Sequence, residues 1–156
     1  MKPPKEDVLG NIRKFLLATV ILSLVATEIE LLLIGHVLPL LQIIPVFLIA
    51  LALGAMVWHA FSRNGKSMRV FQGTMVLCII SGFIGVVVHL AFSAATETKN
   101  NPNLSGMPLI KLALTGKAPP LAPAVMIQIG LIGLAYTYRH PALDDALVEN
   151  VNTLRE

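Results

Sequence analysis

Four long apolar stretches dominate this chain and leave few folds open to it. They run at about residues 15–35, 38–61, 70–92 and 121–138. A hydrocarbon core about 30 Å thick takes about 20 helical residues, with a range of about 17–25. Each stretch meets that length. None alternates polar and apolar residues as a barrel strand would. Lipid offers no partner to a free backbone N–H or C=O, so each stretch is expected to be a helix. The expected fold is therefore all-α: one domain over residues 1–156, built as a four-helix transmembrane bundle.

Composition agrees with that reading. Of the 156 residues, 55% are hydrophobic and 13% charged. A soluble domain carries about 25% charged residues. The net charge of +3 does not point to nucleic acid, because the basic residues gather at the ends of the apolar stretches. Lys2, Lys5, Arg13, Lys14, Arg63, Lys66, Arg69 and Arg139 fall on one side of the expected bilayer. Lys99, Lys111 and Lys117 fall on the other. The excess of positive charge on cytoplasmic loops then places both termini inside, in a bacterial plasma (inner) membrane. Trp58, Tyr136 and Tyr138 sit near that inner interface, as an aromatic belt does. The first stretch is too long for a signal-peptide core, and no A-x-A site follows it, so it is expected to stay as a helix.

The connections divide into tight and long. Residues 35–39 make a tight outer turn, and Asn64-Gly65 punctuates a short polar inner turn. Residues 93–120 form the expected outer loop, within which Met107–Thr115 suits a short interfacial helix. The tail, 141–156, is expected to form a short cytoplasmic helix. Pro141 fits its first turn, and Asp144 and Asp145 complement its dipole.

Helices meet in lipid through small residues and polar contacts. On the third stretch Thr74, Cys78, Gly82, Gly85 and His89 follow one helical line. Ala50 and Gly54 on the second stretch, and Gly130 and Gly133 on the fourth, suggest further packing faces. On the first stretch Thr19, Ser23, Thr27 and Glu30 share a line, taken as inward-facing. Cys78 stands alone in the sequence, so no intramolecular disulfide is available.

The expensive residues point to function. A charged group at membrane depth costs roughly 2.5–3.5 kcal/mol on insertion scales. Glu28 and Glu30 lie in the outer half of the first stretch, and His36, Gln42 and His89 belong to the same side. Two residues along a helix turn about 200°, so Glu28 and Glu30 face different ways. The candidate site is Glu28, Glu30, His36 and His89, supported by Gln42 and Thr27. Carboxylate with imidazole suits a divalent metal or a proton relay. Two alternatives compete with it. One is an accessory or structural subunit with no chemistry of its own, paired with other membrane subunits or with copies of itself. The other is a haem b protein using His36 with His89, or His59 with His140, as axial pairs. No phosphate-binding loop, HExxH or nucleophile-elbow motif occurs, and nothing positive argues for an enzyme.

Overall fold

The computed structural model describes residues 5–35, 40–115 and 122–143. Five helices form among the described residues: α1 (Lys5–Leu33), α2 (Leu40–Ser62), α3 (Gly65–Asn100), α4 (Gly106–Thr115) and α5 (Ala124–Thr137). The described residues include no strand. Three of the helices, α1, α2 and α3, are long and apolar enough to cross a membrane.

Two helices run well past their apolar stretches. α1 starts at Lys5, far ahead of Phe15. α3 has 36 residues, a rod about 54 Å long at about 1.5 Å per residue. It starts at the Asn64 cap, whose Oδ1 accepts the Ser67 N–H at 2.9 Å. It stops at Asn101, which precedes Pro102 and is therefore biased away from helix. Residues 93–100, expected as loop, are the last turns of α3. Apolar length sets only a lower bound on a helix, and polar residues such as Thr96 and Glu97 continue the turn in water.

The helices close into a ring. α1 lies against α2, α2 against α3, α3 against α5, and α5 against α1. α1 and α3 thus take opposite corners. α4 folds back on α3 and buries Ala113. α5 has 14 residues and is about 21 Å long, short of a hydrocarbon core of about 30 Å.

Core packing concentrates between the middle of the bundle and the Asn64 end. Val20 and Leu24 of α1, Ile49 and Ala52 of α2, Phe71 and Met75 of α3 and Ile129 of α5 are buried there. The α3–α5 contact is the closest, and small residues make it. A Cβ on Gly130 would lie 2.6 Å from the Met75 carbonyl oxygen, and one on Gly82 would lie 2.9 Å from the Ile127 nitrogen. One on Gly85 would lie 2.7 Å from the Pro123 ring, and one on Gly133 would run into the Met75 thioether. Cys78 is buried on the same line. The expected α2 face is different: Ala50 is exposed, and a Cβ on Gly54 meets nothing within 4 Å. Those two residues sit on the outside of α2, where small size serves no contact in this chain.

Candidate functional site

On α1 the inward line runs Val20, Leu24, Thr27/Glu28 and Leu31, one position away from the expected line of threonines and Glu30. Val20 and Leu24 are fully buried, Thr27, Glu28 and Leu31 are half-buried, and Glu30 is exposed. The stronger apolar side chains win the core, and the threonines flank it. Thr19 uses its hydroxyl on its own helix, donating to the Phe15 carbonyl at 2.9 Å. The outward turn of Glu30 overturns its expected place on the packing face.

Glu28 is the acid that faces the bundle. Its Oε2 is buried and has no hydrogen-bond partner among the described residues. Gln42 near the start of α2 and His89 on α3 are half-buried. His36 lies outside the described residues. His89 stands on the corner opposite α1. Among the described residues no group of three or more His, Cys, Asp or Glu side chains is placed to hold a metal ion. Gln128 is exposed on α5.

A second polar centre lies at the opposite end of the bundle, where the α2–α3 turn meets the residues after α5. His59 Nδ1 is 2.9 Å from Ser67 Oγ. The Ser67 hydroxyl donates to the Asn64 carbonyl at 2.8 Å, so its one hydrogen is used. Nδ1 of His59 therefore carries the proton and donates to Ser67, leaving Nε2 with a bare lone pair. His140 meets His59 edge to face, with ring centroids 5.3 Å apart. The Ala142 N–H donates to His140 Nδ1 at 3.3 Å, and His140 Nε2 is 3.4 Å from the Tyr136 hydroxyl. The rings touch each other directly and both nitrogens of His140 are engaged. That geometry leaves no slot for a haem between them.

Arg13 of α1 closes the same end. Its guanidinium donates to the carbonyls of Tyr138, at 3.4 Å, and of Arg139. These are carbonyls left over where α5 stops. The chain turns there through Arg139 at φ 48°, as it does between α2 and α3 through Arg63 at φ 47°. Burial pushes the His140 imidazole below its ordinary value, and the neighbouring His59 and Arg13 add to the effect. Slightly deeper, Gln72 Nε2 donates to Thr137 Oγ1 at 3.1 Å and joins α3 to α5.

The sequence offers His59 and His140 as an axial pair and has no motif that joins them to Ser67, Asn64 and Arg13. The signal was present in part: Asn64 and Ser67 stand three apart at a helix start, which is capping spacing. The chain matches no protein-family model, no curated protein and no solved structure.

Proposed function

We propose that the chain is a four-span inner-membrane protein with both ends cytoplasmic, and that Glu28 by itself is the protonatable centre of an outer-half polar site. One observation carries this reading: the Glu28 carboxyl has a buried oxygen without a hydrogen-bond partner among the described residues, on a helix apolar enough to span. Glu28 lies about 22 Å along α1 from Arg13, counting about 1.5 Å per residue. An ionised carboxylate at that depth needs a counter-charge, and a protonated one does not. Glu28 and Glu30 diverge around α1, so one ion bridging both within a chain is disfavoured. Proton exchange therefore suits the site better than a divalent metal.

The test is infrared spectroscopy of the protein in lipid at neutral pH. A carboxylic-acid carbonyl band present in the native chain and missing in Glu28→Gln supports the reading. An unchanged spectrum defeats it. Liposomes carrying an internal pH dye then measure proton entry, which Glu28→Gln should abolish. Topology is tested by single cysteines in a Cys78→Ser background. Ser62→Cys and Ser105→Cys should react with an impermeant maleimide from opposite faces, and labelling from the same face refutes the span count.

The exposure of Glu30 and Gln128 favours a second reading, in which a partner chain covers them and the protein serves as an accessory subunit. Stable co-purification of another membrane protein, lost on Glu30→Leu, would support that reading over the first.

A further inference from the structure

We propose that the cleft between the α2–α3 turn and the residues after α5 binds the phosphate of an anionic phospholipid headgroup. This goes beyond the Glu28 site, lies at the other end of the bundle and stands or falls without it. The cleft has a volume of about 390 Å³ and is lined by His59, Ala60, Arg63, His140, Pro141 and Ala142. Arg63 supplies a permanent cation with N–H groups that match phosphate oxygens in pairs. The left-handed backbone at Arg63 turns the chain straight back from α2 into α3, which keeps this arginine at the cleft wall.

The surroundings favour an anion. Arg13, Lys14, Lys66, Arg69 and Arg139 belong to the same end of the bundle. Glu28, Glu30 and Glu97 belong to the far half of α1 and the far end of α3. Glu6, Asp7, Asp144 and Asp145 flank the basic end in the sequence, and the nine Lys and Arg residues of the same segments outnumber the acids there. His59 is held by Ser67 with Nε2 unused, so a proton arriving with the anion would make a further donor there. Basic pockets between membrane helices on the cytoplasmic side are headgroup sites by the same logic.

The flanks select a lipid over a free anion. Trp58, Phe61 and Tyr138 expose 44%, 87% and 69% of their surfaces around this end. Aromatic rings at the interface level contact the glycerol and upper acyl chain below a headgroup phosphate.

Trp58 is the sole tryptophan, which gives a direct probe beside His59. The full chain is placed in phosphatidylcholine nanodiscs containing brominated phosphatidylglycerol or, separately, brominated phosphatidylcholine. Preferential quenching of Trp58 by the anionic lipid is the expected result. Arg63→Asn suits a left-handed backbone while removing the charge. It should weaken the preference by about five-fold or more. Arg69→Gln removes the same charge outside the cleft and should change it by less than about two-fold. Equal losses in both variants would reduce the effect to diffuse attraction and overturn the site. Absence of any preference in the native chain overturns it too. Inorganic phosphate should not reverse the quenching; if it does at millimolar concentration, a soluble anion is the ligand and the lipid assignment fails. The double variant Asp144→Asn, Asp145→Asn should keep the preference, and its loss there would transfer the selectivity to the tail.

Discussion

The α3–α5 seam offers a quantitative test in Gly130→Ala. The added Cβ would fall 2.6 Å from the Met75 carbonyl oxygen and 2.5 Å from Ile79 Cγ1. An ordinary contact between carbon and a carbonyl oxygen is about 3.3–3.6 Å, so the helices must part by roughly 0.7 Å or more. Ile79 can rotate away, but the Met75 oxygen belongs to the α3 backbone and moves only with the whole helix. Overpacking of this kind costs about 1–3 kcal/mol. Alanine recovers about 0.5–1 kcal/mol over glycine in a helix interior. The expected net loss is about 1–2 kcal/mol. Gly54→Ala provides the control: its Cβ meets nothing within 4 Å, so only the helix gain of about 0.5–1 kcal/mol remains. Gly133→Ala should fall between them, because it presses on the flexible Met75 thioether. Far-UV circular dichroism during reversible unfolding in mixed dodecyl-sulfate micelles measures all three. If Gly130→Ala unfolds at or above the native midpoint, or Gly54→Ala loses as much as Gly130→Ala, the packing argument is refuted.

Two further outcomes follow at the opposite end of the bundle. Ser67→Ala strips the acceptor from His59 Nδ1 and the donor from the Asn64 carbonyl, and should cost about 1–3 kcal/mol in the same unfolding assay; a native-like midpoint would show that water replaces the hydroxyl at no cost. The His140 imidazole is held below its ordinary 6.5 in the folded chain, so the unfolded chain takes up its proton first as pH falls. Stability tied to His140 is therefore intact above pH 6.5 and declines as pH drops from 6.5 toward the folded value. His140→Gln should flatten that part of the profile relative to the native chain, measured in neutral detergent, and parallel profiles would rule the contribution out.

The helices were legible because apolar length is a direct response to bilayer thickness, and the sequence carries it openly from Phe15 to Gly35 and from Val70 to Phe92. Their ends were less so. Lys5 to Lys14 and Ser93 to Asn100 are polar enough to read as flanks, yet they extend helices already nucleated beside them, where propagation is cheap. The glycines of α3 and α5 announced a close contact correctly, since a tight seam between membrane helices needs residues without bulk. The same signal misled at Gly54, because small residues are common in such helices whether or not anything touches them. On α1 the one-position error that put Glu30 inward came from weighting threonine over leucine. Burial of Val20 and Leu24 shows that shape and volume set that face. The His59–Ser67–His140 cluster was hidden for a different reason: the α2–α3 turn joins His59 to Ser67 locally, but His140 arrives only when α5 returns along α3, and no local spacing records that.

α3 is one uninterrupted hydrogen-bonded rod joining α4 at its far end to the Asn64 turn at its start. With no break along its length, it can transmit rotation as a lever does. Swinging a rod about 54 Å long by ten degrees around one end carries the other about 9 Å. A push on α4 would thus reach the Ser67 turn only as far as α2 and α5, packed along α3, let the rod swing.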